Sequence, residues 1–353
     1  MNVAIDITPM HSGHKMRGVG SYTRLLKEAL EKSKSNHTFH FFIRGEKLPR
    51  KIDLIHYPYF DPFFLTLPFF SQAPYVITVH DLIPLVYPDK FPPGIKGELE
   101  WRMQKFSLQR ARRVITDSHA SQKDICTIAK IASDKIKVIY LAPSPVFRPI
   151  RSKSILDSVR KRYVLPPKFV LFVGDVNWNK NIFGLLKACA ILFKSKGFQD
   201  TKLILVGKPF LDEQLPEAQM IHTAIRDLSM GDSVMKLGFV PDEDLAAIYS
   251  LASVYVQPSY AEGFGFPVLE AMACGCPVVV SDTSSLSEIA GPALRVNPND
   301  SSNIASGIEQ ILRNKKAQTL SKKGIAWAKN FSWEKVVQQT TAVYERAFRG
   351  DLR

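Results

Sequence analysis

Apolar positions along the chain cluster into short β-branched runs separated by longer amphipathic stretches. The first run, "VAIDI" at residues 3–7, leads through a glycine segment, "RGVGSY", into the helical pattern "TRLLKEALEK". "FHFFI", "DLIHY", "YVITVHD", "RVITDS" and "KIKVIYL" repeat the strand signal, with the helical "ASQKDICTIAK" before the last. Prolines at 143, 145, 149, 166 and 167 then break regular structure, which puts a domain boundary near residues 143–166. The alternation restarts with "FVLFVGD", "TKLILVG", "VMKLGFV", "VYVQPS" and "PVVVSD", read as buried strands, each followed by a helix such as "NIFGLLKACAILFKSKG" or "DEDLAAIYSLAS". Strands separated by helical patterns predict βαβ units and parallel sheets, hence an α/β protein of two doubly wound domains, 1–150 and 151–332. In such sheets ligands bind at the C-terminal ends of the strands.

Composition narrows the class. The chain has 353 residues, 45% hydrophobic and 23% charged, an ordinary soluble balance. No apolar run reaches the roughly 20 residues of a membrane helix. The nearest, "PYFDPFFLTLPFF" at 58–70, is interrupted by three prolines and Asp61. The N-terminus lacks a basic segment and cleavage site and reads as a first strand. Cys126, Cys189, Cys274 and Cys276 are too few for a disulfide framework and have no zinc spacing, so a reducing cytoplasm is expected. The net charge of +14 suits polyanions, phosphorylated small molecules or an anionic membrane. It concentrates locally at "WRMQKFSLQRARR", residues 101–113, read as a solvated helix face with a membrane-contacting face as the alternative.

Chemistry concentrates in "EGFGFPVLEAMACGCPVVVSD", residues 262–282. Gly263 and Gly265 let the backbone approach a ligand, and a helix with Pro267 at its first position adds about half a positive charge. Together they make an anion pocket suited to phosphate. Glu262 before the loop and Glu270 one turn into the helix would accept hydrogen bonds from hydroxyls flanking a diphosphate. By themselves two such acids could equally be a hydrolase pair, a metal site or surface charge.

Glu-x7-Glu around this glycine loop, followed by "EAMACGCPVVVSDTSSLSEIAG", resembles the signature of the family 4 retaining glycosyltransferases, closest to their bacterial mannosyltransferase-like branch. Further segments in the same order resemble that family: "GVGSYTRLLKEAL", "VITVHDLIPLVYPDKFP", "VGDVNWNKNIFGLLKA", "LGFVPDEDLAAIYSLASVYVQPS" and "FSWEKVVQQTTAVYERAF". The resemblance implies the GT-B fold: two facing Rossmann-like domains with a cleft between them. The first would bind the acceptor and the second the nucleotide sugar, with a C-terminal helix, 333–353, crossing back to the first.

It further implies that Glu270 holds the nucleotide ribose, Glu262 touches the donor sugar and Lys180 in "NWNKN" contacts the phosphates. His80 would contact the sugar, and the backbone of Gly263, Phe264, Gly265 and Phe266 the diphosphate. Gly18 and Gly20 of the first glycine loop would approach the diphosphate and acceptor, and the backbone near Phe239 and Val240 would read the base. Many relatives carry arginine where this chain has Asp175, and Lys208 or Arg17 could compensate. The hydrolase reading fails on chemistry, because a glycosidase protonates a sugar alkoxide, whereas a nucleoside diphosphate leaves as a stable anion.

The expected activity is retaining transfer of a hexose, most plausibly mannose from GDP-mannose, to a glycan or lipid-linked acceptor. No metal or other cofactor beyond the nucleoside diphosphate sugar is expected, and no nucleic-acid partner. The expected location is cytoplasmic, with peripheral contact at the inner face of an anionic membrane if the acceptor is lipid-linked. A soluble acceptor would instead leave the aromatics of residues 58–70 in the domain core. Other classes are a GT-B nucleotide-sugar protein of epimerase or phosphorylase type, and a non-enzymatic basic nucleic-acid-binding protein, which no recognition motif supports.

Overall fold

A computed structural model describes residues 1–13, 18–313 and 317–350. The chain divides into two compact units: Met1–Ala142 with the C-terminal segment from Phe331, and Pro143–Asn330.

In the first unit the β-branched runs form parallel strands β1 (Asn2–Asp6), β2 (Thr38–Phe42), β3 (Leu54–Tyr57), β4 (Tyr75–Thr78), β5 (Arg113–Thr116) and β6 (Ile136–Val138), in the order β2-β1-β3-β4-β5-β6. His56 of β3 sits opposite Ile5 and Val76, at the middle of the sheet. It is fully buried, and its ring nitrogens bond Tyr344 Oη at 2.7 Å and Thr78 Oγ1 at 2.8 Å. Tyr22 Oη meets the same threonine oxygen at 3.1 Å. This polar chain ties the C-terminal helix Trp333–Arg349 and the helix Gly18–Lys32 to the sheet interior.

In the second unit β7 (Phe169–Val173), β8 (Lys202–Val206), β9 (Val234–Leu237), β10 (Val254–Gln257), β11 (Val278–Ser281) and β12 (Leu294–Val296) are also parallel, ordered β12-β11-β10-β7-β8-β9. The winding reverses between β7 and β10. The crevice beyond their C-terminal ends is therefore the topological position for a ligand. One face of this sheet packs on the helix Ile182–Phe193, whose Leu185, Ala188 and Leu192 join Val170, Leu205 and Val256 in the core.

Several expectations change. β12 is too short, at three residues, to show in the hydrophobic pattern. β9 is half-buried rather than buried because it is an edge strand, paired only with β8. Gly18 and Gly20 are not in an open turn: they are the first and third residues of Gly18–Lys32, and β1 instead runs into the 3₁₀ turn Thr8–Met10. Pro267 occupies the second, not the first, position of its helix, where a missing N–H is still without cost. The basic stretch ends as helix at Arg110, and Arg113 is a buried β5 residue donating to the Asp134 carbonyl at 2.7 Å. Of the 58–70 aromatics only Phe60 is fully in the core, while Phe64, Phe69 and Phe70 are exposed. Among the described residues no helix is long and apolar enough to cross a membrane.

Candidate active site

β7 and β10 each end in a loop that crosses the switch point, and side-chain amides join the two loops. After β7 the chain makes a 3₁₀ turn, Trp178–Lys180, and Asn181 then takes a left-handed conformation (φ 53°) as the cap of Ile182–Phe193. Asparagine tolerates that region because its short side chain can bond locally. Here Asn181 Oδ1 accepts from Gly184 N at 3.1 Å, while its Nδ2 donates to the carbonyls of Pro258 and Pro298. Asn179 Nδ2 donates to Ala261 O at 3.0 Å, and Tyr260 N donates back to Asn179 O at 2.8 Å. Trp178 stacks on Tyr260 with ring centroids 4.8 Å apart. The loop carrying Lys180 is thus fastened to the loop carrying Glu262.

The consequence is a direct ion pair. Lys180 Nζ lies 2.9 and 2.7 Å from the two carboxylate oxygens of Glu262, a side chain only 7% exposed. Two neutral donors converge on Glu262 Oε1, Gln257 Nε2 and Ser259 Oγ, both at 2.7 Å. Tyr255 Oη donates to Gln257 Oε1 at 2.6 Å, which fixes the amide with its NH₂ toward Glu262. Oε2 is bonded to Lys180. The buried carboxylate is stabilised by a cation and two dipoles, as a charge in a low-dielectric site requires.

The glycine loop is held from behind. Ser285 Oγ donates to the carbonyls of Glu262 and Phe264, and Glu262 N donates to Ser284 Oγ at 2.9 Å. Gly265 has φ 107°, and a Cβ there would meet Leu286 Cδ2 at 2.7 Å, so only glycine fits. It caps the helix Phe266–Ala273, whose first turn carries the partial positive charge expected of a helix N-terminus.

Glu270, on that helix, accepts from Tyr249 Oη at 3.2 Å. Its carboxyl is pushed up to about 8, chiefly by burial and then by the charge of Asp242, with the Tyr249 bond opposing. The residue as a whole is half-buried. Asp242 begins the helix after Phe239 and Val240, so the expected base-reading segment lies at Glu270's side of the unit. Val240 is buried and Phe239 exposed. Lys208 is exposed at the end of β8, Asp175 Oδ1 accepts from Val176 N, and Arg17 lies outside the described residues.

His80 belongs to the first unit, two residues beyond β4. Its Nδ1 lies 2.6 Å from Asp117 Oδ2 and its Nε2 lies 3.2 Å from the Pro58 carbonyl. Burial by itself would lower the His80 pKa, but the Asp117 charge and hydrogen bond outweigh burial and raise it. The buried Asp117 carboxyl is itself pushed up by burial, with the His80 charge and hydrogen bond opposing. Ser118, next to Asp117, caps the short helix His119–Asp124 by accepting from Ser121 N. Among the described residues no three His, Cys, Asp or Glu side chains form a metal-ligand set.

Sequence reasoning singled out Lys180, Glu262 and Glu270 but missed Asn179, Asn181, Tyr255, Gln257 and Ser259. Gln257 carried a usable signal, since it is a polar residue ending the apolar run "VYVQ". The asparagines carried no comparable signal, since their partners are carbonyls distant in sequence.

Two family descriptions match the chain: Glycosyltransferase Family 4 over residues 15–142 and Glycosyl transferases group 1 over residues 157–327. The O-antigen chain mannosyltransferase B of Escherichia coli is 32% identical over 272 residues, covering 76% of this chain and 70% of that protein. The chain is a family 4 glycosyltransferase. The serotype-specific mannosyltransferase WbdA of E. coli is 30% identical over 73% of this glycosyltransferase, which spans only 32% of WbdA. Among solved structures, sucrose-phosphate synthase from Thermosynechococcus elongatus matches with TM-score 0.78 and 23% identity, covering 99% of this chain and 100% of that one. Anabaena HepE, in complex with UDP and glucose, matches with TM-score 0.74 and 19% identity over 98% and 99%. These likenesses show the fold, and the glycosyltransferase has the α/β architecture of two parallel six-stranded sheets shared by GT-B enzymes.

Proposed function

We propose that the protein transfers mannose from GDP-mannose, with retention of configuration, to a glycan or lipid-linked acceptor. The Lys180–Glu262 pair carries this reading. Lys180 can leave Glu262 for an arriving diphosphate without stranding a buried charge, because Gln257 and Ser259 continue to hold Oε1. That exchange frees Oε2 for a donor-sugar hydroxyl. One movement thus supplies a cation to the leaving phosphate and an acceptor to the sugar. Backbone N–H groups at Gly263–Phe266 and the helix N-terminus add to the stabilisation of the departing anion. Glu270 would accept from the ribose, the segment at Phe239 and Val240 would read the base, and His80, oriented by Asp117, would contact the sugar. Gly18 and Gly20 start a helix that the family places toward diphosphate and acceptor.

Retention follows if the acceptor attacks the face from which the diphosphate departs and the phosphate oxygen takes the acceptor proton. Mannose as the sugar is supported by the names of the E. coli relatives. No cofactor beyond the nucleotide sugar and no nucleic-acid partner are part of this reading. A lipid-linked acceptor would bring the enzyme, as a peripheral protein, to the inner face of an anionic membrane. Incubation with GDP-mannose labelled in the sugar, followed by NMR of the product, tests the proposal: an α-linked mannoside and GDP are expected. A β-linked product would overturn retention, and an isomerised or phosphorolysed sugar would put the protein in another class.

A further inference from the structure

We propose that the first unit carries a surface for docking on anionic lipid, formed by the outer face of the helix Gly94–Arg110 and the aromatic loop at residues 64–70. This deepens the lipid-linked acceptor reading, yet docking requires neither donor nor catalysis.

The helix buries Gly97, Trp101, Gln104, Ser107 and Leu108 toward the sheet. Its opposite side should be polar in a helix that faces only water. Instead Ile95 is 94% exposed, Leu99 60%, Phe106 45% and Met103 37%. With Arg110 these residues follow spacings of four, four, three and four, which align them on one stripe, roughly 22 Å long at the helical rise.

The neighbouring loop extends the stripe. Phe69 stacks on Phe106 with centroids 5.5 Å apart, and Phe70, 78% exposed, meets Phe69 edge-on at 5.0 Å. The helix fixes this loop: Gln104 Oε1 accepts from Thr66 N and Leu67 N, both at 2.9 Å, and Ser107 Oγ donates to Pro68 O. The phenylalanines are therefore held out by construction. A contiguous apolar patch of this kind marks an interaction surface.

Charge selects the occupant. Lys96 and Arg102 flank the stripe, each paired one turn away with a carboxylate, Glu100 at 3.8 Å and Glu98 at 3.4 Å, while Lys105 and Arg110 leave the helix net basic. The Arg110 guanidinium, at the end of the stripe, lies 5.3 Å over the Phe106 ring, placed to reach a headgroup while the ring enters the apolar layer. An anionic membrane matches both the apolar stripe and its basic border.

Sedimentation of the full chain with phosphatidylglycerol–phosphatidylcholine vesicles, and with phosphatidylcholine alone, tests the surface. Salt-sensitive binding to the anionic vesicles is expected, at least several-fold tighter than to the neutral ones. Phe70→Ser and Phe106→Ser should each weaken it about tenfold, and Arg102→Gln and Arg110→Gln roughly fivefold each, with the unfolding temperature unchanged. Ile95→Ser, at the most exposed of these positions, is the variant least able to disturb folding and should also weaken binding. No binding at low salt would overturn the proposal, as would binding indifferent to the apolar variants. A dimer in light scattering that the same apolar variants dissociate would assign the stripe to a second copy instead. None of these outcomes bears on whether the protein transfers mannose, which product analysis decides separately.

Discussion

Lys180 and Glu262 face each other across the switch point of the second sheet, with the lysine ammonium bonded to both carboxylate oxygens. The pair joins the loop after β7 to the loop after β10, so it depends on both being correctly placed. A lysine stored on a carboxylate has its charge neutralised at rest and its position fixed in advance, so if Lys180 binds the donor phosphates as proposed, ordering it on donor arrival costs less.

Lys180→Ala should reduce turnover by about 10²–10³, the usual cost of one group stabilising a departing anion, and by more than it weakens donor binding. Single-turnover rates beside donor titration measure the two effects. Near-normal turnover would move the phosphate cation elsewhere, with Lys208 the next position to test.

Gln257 and Tyr255 should act on the rate through Glu262. Gln257→Leu removes one of the two donors that hold Oε1 when Lys180 leaves, so turnover should fall about tenfold, roughly the value of one hydrogen bond to a charged group. Tyr255→Phe, which leaves the amide free to reverse, should show a smaller fall of the same kind. A purely structural role would show as a lowered unfolding temperature with kcat intact, and that result would count against the relay.

Glu270 supplies a pH dependence. With its carboxyl titrating near 8 and ribose hydroxyls bonding best to the ionised form, donor affinity should rise as pH increases from 7 to 9. Glu270→Gln should flatten this profile, and Glu270→Ala should cost about 1–3 kcal/mol of donor binding. Because the folded pKa lies above the ordinary value of 4.5, the wild-type protein should lose stability as pH rises from 4.5 through 8. A donor affinity unchanged across that range in the wild type would remove Glu270 from the ribose site.

His56 works in the opposite direction. Burial, with a smaller contribution from His80, lowers its pKa from 6.5 to about 3, so it is neutral when folded. The unfolded chain takes up the proton below 6.5, and stability should therefore fall as pH drops from 6.5 toward 3, by on the order of 4 kcal/mol for this group. Urea unfolding of the wild type and of His56→Leu across that range should show a shallower acid loss in the variant, whatever its starting stability.

The strand runs were legible because parallel strands covered on both faces read as continuous β-branched segments, as "FVLFVG" and "PVVVS" do. Burial was less legible than existence: β9 was read as a buried strand but is half-buried at the sheet edge, and β12, with three residues, gave no pattern. Glu262 and Glu270 stood out because two acids beside glycines in an apolar segment need a reason. Their supporting residues did not, since Asn179 and Asn181 act through amide bonds to carbonyls about 80 or more positions away. The partner of His80 lay 37 residues beyond it, just past the end of β5, and no local pattern joins the two.

The central claim is the donor, and a thermal-shift panel of GDP-mannose, GDP-glucose, UDP-glucose, UDP-galactose and the free nucleotides tests it most directly. GDP-mannose should raise the unfolding temperature most, GDP less, and the shift should be lost in Glu270→Ala. Stabilisation by a UDP sugar with no response to GDP-mannose, or a GDP-mannose shift that survives intact in Glu270→Ala, would contradict the account.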